Sequence, residues 1–338
     1  MIEGAPAVLL TGVGKRYDIV SSFAQHTTTI AVDPDPLAPA RYAAHHIRPA
    51  PRFDEPGYVD ALGAICDEFG VGVVLPLTDL DIEILGDARA RGLLPALVAE
   101  ADVARATFDK LACHELLSAH GLPSPPTATP DRAGELGGFP VVVKPRRGSG
   151  SRGIFSADDL EQVDFLVRYA GEPVVVQREL AGEHVSIDCL GDADGRCLNV
   201  IPRAMIESRG GELVKGKILG DPEIVDVGRR AMEALRVRGP GMFQLFRDPE
   251  LGLGIHDVNL RFGGGFPGHM YGALDGRTYP ELIVRMAAGQ RIEPHVGALR
   301  AGRRFARFYW QMELDEELRP TGRDIVDPPG PPRPQGVG

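Results

Sequence analysis

Short apolar runs alternate with segments of helical spacing along the first hundred residues, and that alternation narrows the fold more than any other feature of the chain. Residues 7–11 read as a buried strand, followed by a glycine turn and a helix from about Tyr17. Residues 28–32 form a second strand ending in Asp33. Residues 58–69 have helical spacing, 71–77 are an apolar strand, and 79–91 are helical again. Strands that alternate with helices pair in parallel, because each crossover helix returns the chain to the same edge and covers a sheet face. The expected fold class is therefore mixed: a Rossmann-like parallel α/β domain at the N-terminus, then an α+β remainder.

That remainder has a different rhythm. A helix over 108–120 stops at Gly121 and is followed by Pro123, Pro125 and Pro126, a stop signal that also marks a linker. Next come a strand (139–144), a Gly/Arg/Ser loop through Gly153, a helix (158–169) and a strand (173–177). Strands over 184–190 and 197–203 read as antiparallel neighbours, 221–236 as a helix, and 242–247 and 254–259 as strands paired across a turn. A helix (279–288) and a strand (304–313) complete the pattern, and from Pro320 the chain is a Pro/Gly-rich tail or surface strap. The expected division is a parallel domain (1–105), a lid carrying the glycine loop (106–178), a larger unit with a polar strand (179–319) and the tail (320–338).

Composition excludes several classes. With 338 residues and a net charge of -10, the chain is no general nucleic-acid binder, since neutralising phosphates requires clustered cations. Cys66, Cys113, Cys189 and Cys197 are too scattered for a disulfide framework and form no CxxC pair. No stretch approaches the roughly 20 apolar residues that span a bilayer, so the expectation is a cytoplasmic protein with no membrane partner. Lysine is scarce: Lys15, Lys110, Lys144, Lys215 and Lys217 stand among 37 cationic side chains. Against an arginine background, a lysine marks a place for a compact ammonium.

Two motifs mislead. Gly12 and Gly14 follow a strand and Asp33 ends the next, as in a dinucleotide fingerprint, but Tyr17 stands where the third glycine is needed. The run from Gly211 to Lys217 approaches a P-loop, yet Ile218 replaces the metal-binding hydroxyl and the segment reads as a hairpin turn.

Five pieces over residues 107–265 carry the chemistry. Asp109-Lys110 opens a helix, and Lys144 ends an apolar strand. The loop Arg146–Gly153 combines glycines, whose backbone N–H groups wrap a phosphate, with arginines. A strand holding Gln177 runs into Glu179, Leu180, Gly182 and Glu183. Last, Asp257 and Asn259 lie two apart on a strand and so share a face, which Gln244 on the adjacent strand reaches as well. Two amide oxygens and a carboxylate suit Mg2+, with Mn2+ as its substitute; Arg261 continues that face. By the same alternation, His256 is expected on the opposite face in a structural role.

With these pieces in order, residues 1–290 resemble the ATP-grasp superfamily, in particular members similar to the synthetase units of carbamoyl-phosphate synthase large subunits. The run from Leu75 to Asp79 with Glu83, and the segment Asn259-Leu-Arg261-Phe-Gly263-Gly-Gly265, are similar to family stretches. The resemblance implies ATP as a ligand. Lys110, Lys144 and the loop residues Gly148, Ser149, Gly150 and Gly153 would meet its phosphates. Glu179 and the backbone of Leu180 would meet the adenine edge, with Lys144 also near it, Glu183 would meet the ribose, and Gln177 would be a further nucleotide contact. Gln244, Asp257 and Asn259 would hold Mg2+, and Arg261, Arg203 and Arg209 would stabilise charge on the reacting groups. Asp257 replaces the usual glutamate, Leu260 a proline, and Met205 a basic residue. The implied activity is a carboxylate–amine (or related) ligase that forms an acyl phosphate from a small carboxylate and releases ADP and phosphate, with a homodimer as the expected assembly. An ATP-grasp kinase or carboxylase, or a non-catalytic nucleotide-binding regulator, shares the same residues.

Overall fold

The computed structural model describes residues 1–148, 153–209, 212–263, 276–307 and 311–321. Its first unit carries β1 (Ala7–Thr11), α1 (Tyr17–Ala24), β2 (Thr29–Val32), β3 (His46–Ile47), α2 (Tyr58–Phe69), β4 (Val71–Pro76) and α3 (Ile82–Ala90). The strands form a parallel sheet in the order β3-β2-β1-β4. All five residues of β1 are buried, as a strand covered on both faces requires. In α2, Tyr58, Leu62 and Ile65 make the buried stripe, and Gly70 in the left-handed region (φ 62°) ends the helix. Asp33 closes the glycine turn rather than meeting a cofactor: its carboxylate accepts from Gly14 N at 2.7 Å and from Asp35 N at 2.9 Å.

The helix expected over 108–120 is α5 (Lys110–Ala119), and a further helix not anticipated, α4 (Ala101–Phe108), precedes it. The break falls at Asp109, whose extended backbone lets its carboxylate accept from Leu111 N and Ala112 N and so cap α5. Then follow β5 (Thr127–Ala128), β6 (Val141–Pro145), β7 (Phe155–Ala157), α6 (Leu160–Ala170) and β8 (Val174–Arg178), which build a sheet of order β5-β8-β6-β7. Val141, Val143, Val174 and Val176 face a small core shared with Val163 of α6.

The remaining elements are β9 (Glu183–Gly191), β10 (Cys197–Arg209), β11 (Glu212–Ile218), α7 (Pro222–Ala234), β12 (Gly239–Asp248), β13 (Gly252–Asn259), α8 (Tyr279–Ala287) and β14 (Arg304–Ala306). Six strands form an antiparallel sheet, β13-β12-β9-β10-β11-β14. The segment before Lys215 is indeed one arm of a hairpin, since β10 and β11 pair antiparallel. The strand expected over 304–313 is only Arg304–Ala306, pairing with Lys215–Lys217; residues 308–310 lie outside the described ones, and 311–313 form no strand. On one face of the six-stranded sheet, Val185, Ile187, Phe243, Leu245, Ile255 and Val258 pack into the core that includes Ile224 and Ala231 of α7. The opposite face carries polar side chains toward β13 and, toward β11, Leu190, Leu198, Ile201 and Ile218, which share a second core with β1 and α1. Among the described residues no helix is long and apolar enough to cross a membrane, and all four cysteines are free thiols.

Candidate nucleotide and metal site

Pairing register places four polar side chains in one row across the sheet: Arg203 opposite Ser186, Ser186 opposite Gln244, and Gln244 opposite Asp257. One step along, Asp188 lies opposite Met242, and Met242 opposite Asn259. Residues two apart in a strand share a face, so Gln244, Asp257 and Asn259 stand together. Asn259 Nδ2 donates to Asp257 Oδ2 at 2.7 Å, and Arg261 Nη2 donates to Asn259 Oδ1 at 3.1 Å.

The expected opposite placement of His256 is corrected by a β-bulge. Gln244 pairs with Asp257 but Leu245 pairs with Ile255, so His256 is the extra residue. With Ile255 and Val258 both in the core, the bulge turns His256 toward the polar face alongside Asp257. There its Nε2 lies 3.2 Å from His184 Nε2, and His184 stacks on Phe246 with ring centroids 4.5 Å apart. Burial pushes the His184 imidazole down to about 4, with Arg203 adding to the effect. Burial, then the charge of Lys144, holds His256 well below the ordinary histidine range, so both rings are neutral near pH 7.

Lys144 is almost fully buried at 4% exposure. Its Nζ donates to Gln177 Oε1 at 2.8 Å and to the His256 carbonyl at 3.3 Å, while Gln177 Nε2 donates to Thr127 Oγ1 at 2.7 Å. Burial lowers its ammonium to about 8 against the attraction of Asp257, and Lys110 lowers it further. Lys110 Nζ donates to the Gly148 carbonyl at 2.8 Å, the near end of the glycine loop. Ser149 and Gly150 lie outside the described residues; Gly148 and Gly153 both take positive φ (117° and 67°), the freedom a phosphate-wrapping loop needs. Asp109 braces this corner through Arg146 Nε at 2.7 Å. Its carboxyl is held below the usual range: burial raises it, but hydrogen bonds from Ala112 N and Arg146 outweigh that.

The other expected residues are spread more widely. Glu179 accepts a short hydrogen bond from Ser156 Oγ, and Leu180 packs where a Cβ on Gly254 would stand only 3.0 Å from its Cδ1. Glu183 is exposed at the start of β9. Arg203 is 1% exposed and is ion-paired to Asp188, with Nη2 to Oδ1 at 3.2 Å. Its Nη1 is buried without a hydrogen-bond partner among the described residues. Arg209 is exposed, pairs with Glu207 at 3.6 Å, and is not brought to the row. Arg261 is held by the first domain: Nε reaches Asp79 Oδ2 at 3.0 Å, and Nη1 donates to the Phe262 carbonyl at 2.8 Å. Burial raises the Asp79 carboxyl, and Arg261 opposes the shift.

Asp188 and Arg16 are side chains near the row that the sequence pattern did not single out. Asp188 had a signal: His184, Ser186 and Asp188 alternate with buried Val185, Ile187 and Cys189. Arg16 had none, because its contact with the Gly263 carbonyl spans the two halves of the chain. Gly263 is needed there, since a Cβ would meet Met242 Sδ at 2.6 Å.

The donor set fits a hard divalent cation. Gln244, Asp257 and Asn259 offer oxygen only, and among the described residues no cluster of three His, Cys, Asp or Glu competes for a metal. One carboxylate leaves half of a divalent cation's charge to be met by other groups.

Two stretches of the chain match known families. Residues 8–93 match the PylC-like N-terminal domain, and residues 107–265 match the ATP-grasp domain. D-alanine–D-alanine ligase of Corynebacterium efficiens is 34% identical over 117 residues, covering 32% of this chain and 32% of the relative. The enzyme of the same name from Corynebacterium glutamicum is 29% identical over 170 residues, 47% of this chain and 40% of the relative. The chain thus spans well under half the length of these curated relatives. Among solved structures, N5-carboxyaminoimidazole synthetase from Staphylococcus aureus, complexed with ADP, superposes with a TM-score of 0.71 at 18% identity, covering 87% of this chain and 80% of that one. The biotin carboxylase domain dimer of Hydrogenobacter thermophilus 2-oxoglutarate carboxylase, in complex with MgADP, ADP and bicarbonate, gives 0.70 at 18% identity over 89% and 74%. L-amino acid ligase from Bacillus licheniformis gives 0.69 at 18% over 89% and 79%. At these identities the superpositions speak for fold alone. The chain belongs to the ATP-grasp superfamily, its ATP-grasp domain over residues 107–265 preceded by a PylC-like N-terminal domain.

Proposed function

We propose that the protein is an ADP-forming ligase that joins a small carboxylate to an amine through an acyl phosphate. One observation carries the reading: the buried ammonium of Lys144 touches the strand that presents Asp257 opposite Gln244 and Asn259 two residues on, so a cation slot and an anion slot would share one wall. Mg2+, when bound there, supplies positive charge to the phosphate oxygens. Gln244, Asp257 and Asn259 would hold it. Lys110, Lys144 and the Gly148–Gly153 backbone would bind the triphosphate, with Gln177, Glu179 and Leu180 toward the base and Glu183 toward the ribose.

Arg261 is fixed by Asp79 beside the metal ligands, where it would stabilise charge as a carboxylate oxygen attacks the γ-phosphorus and ADP departs. The amine, in its neutral form, then attacks the acyl carbon, and inorganic phosphate leaves as the nitrogen gives up a proton to it or to solvent. No protein nucleophile is needed, because positioning and charge stabilisation suffice. Arg203, neutralised by Asp188, would contribute only through its unpartnered Nη1, and Arg209 would need the adjacent hairpin to move. The curated relatives are named as ligases, which supports this reading, and a homodimer is the assembly that goes with it.

Hydroxylamine traps acyl phosphates as hydroxamates. Incubation with ATP, Mg2+ and a panel of amino acids as the acid should give hydroxamate and ADP in equal amounts for at least one acid. ADP with a stable phosphorylated product would make the protein a kinase, and no turnover across the panel would favour a nucleotide-binding regulator.

A further inference from the structure

A cavity of about 310 Å³ opens between the first domain and the edge strand β13, bordered by Asp257 and Asn259 on one side and by Asp79, Leu80 and Glu83 on another. Lys110, Arg147 and Gly148 border it at the glycine loop, which the proposed triphosphate would use. Beyond that end, the wall is of another kind: Phe53, Leu80, Ala104 and Phe108 present carbon surface. Phosphates have no use for such a wall. The space is of the size that holds a small organic group, and its mixture of an apolar wall and a few polar atoms is that of a ligand pocket.

The polar atoms on the first-domain side are acceptors. Both contacts of Arg261 fall on Asp79 Oδ2, and among the described residues Asp79 Oδ1 takes no hydrogen bond. Glu83 is engaged by Arg105 Nε at 2.8 Å. Arg261 already donates to Asp79, Asn259 and the Phe262 carbonyl, and the reading above assigns its charge to the reacting acid and phosphate. An incoming carboxylate would also face Asp79 and Asp257 together. An ammonium meets the opposite situation.

We propose that this cavity is the amine subsite, taking a primary ammonium at Asp79 and an apolar side group against Phe53, Leu80 and Phe108. The assignment rests on the ligase reading above and narrows its second substrate to amines with an apolar substituent, such as amino-acid derivatives with aliphatic side chains. It also explains why Asp79 belongs to the loop after β4, the C-terminal edge where parallel sheets receive ligands.

The full chain, loaded with Mg2+ and a non-hydrolysable ATP analogue, is titrated calorimetrically with glycinamide and then L-leucinamide. The expected result is at least a tenfold tighter binding of L-leucinamide, from burial of the isobutyl group. Leu80→Ser, at a half-exposed position that the fold tolerates, should remove most of that gain while leaving the affinity for the analogue unchanged. Asp79→Asn should weaken both amides at least tenfold. Equal affinity for the two amides, indifference to both substitutions, or tighter binding of 4-methylpentanoate than of L-leucinamide would overturn the assignment. Failure to bind the analogue would instead count against the nucleotide site, and the same titration without nucleotide would still report on the cavity.

Discussion

The Nζ of Lys144 lies 3.3 Å from the carbonyl oxygen of His256, although 112 residues separate them. That contact joins the lid sheet to β13, so whatever binds the ammonium binds beside Asp257. Lys144→Ala should therefore weaken ATP-analogue affinity at least tenfold, on the scale of one lost charge-assisted contact. An unchanged dissociation constant in calorimetry would remove Lys144 from the site.

The same ammonium gives a pH dependence. Burial lowers it to about 8, so ligand-free protein loses this charge as pH rises through that value. A triphosphate favours the charged form, and its affinity should fall progressively between about pH 8 and pH 9.5. For stability the sign is reversed: between about 8 and 10.5 the unfolded chain binds the extra proton, so this group makes the ligand-free fold more stable as pH rises. A flat affinity profile in Lys144→Ala, against a sloping one in wild type, would assign the effect.

His184 acts in the acid range. Its folded value of about 4 lies below the ordinary 6.5, so the unfolded chain binds the extra proton between those limits. Stability that His184 contributes above pH 6.5 is lost as pH falls toward 4. The urea midpoint should drop between pH 7 and pH 5, and His184→Asn should shrink that drop. The wild-type drop persisting in full in the variant would place the titrating group elsewhere.

Arg203 and Asp188 form a buried ion pair, and breaking it from one side leaves an uncompensated charge. Asp188→Asn should destabilise the protein by about 3–5 kcal/mol. The double variant Asp188→Leu, Arg203→Met should recover much of that loss in denaturant midpoint, since neither charge remains. If the double variant is no more stable than the single one, the pair is supporting something besides itself.

The sequence conveyed local order well. The βα alternation of the first domain, the capped helices and the hairpin of β12 and β13 follow from period, turn residues and caps, all of which act within a few residues. Gln244, Asp257 and Asn259 were legible because strand alternation and hairpin pairing are short-range rules. His256 was misplaced because a bulge shifts register by one residue, and nothing in the composition of residues 254–259 marks it. The helix start at Asp109-Lys110 was legible as an acidic cap before a helix, whereas the short helix Ala101–Phe108 just before it, with only Ala104 and Thr107 buried, left no clear apolar stripe to read. Contacts such as Arg261 with Asp79, 182 residues apart, and Arg16 with Gly263 depend on how two domains meet, which no window along the chain can report.

Manganese titration in the presence of ADP tests the central proposal most directly, because Mn2+ replaces Mg2+ in oxygen sites and its paramagnetic signal reports the bound ion. Wild type should bind Mn2+ tightly only when ADP is present, and Asp257→Ala should lose that binding at least tenfold while its thermal midpoint stays put. Nucleotide-dependent Mn2+ binding of equal strength in the two proteins would contradict a site built on Gln244, Asp257 and Asn259.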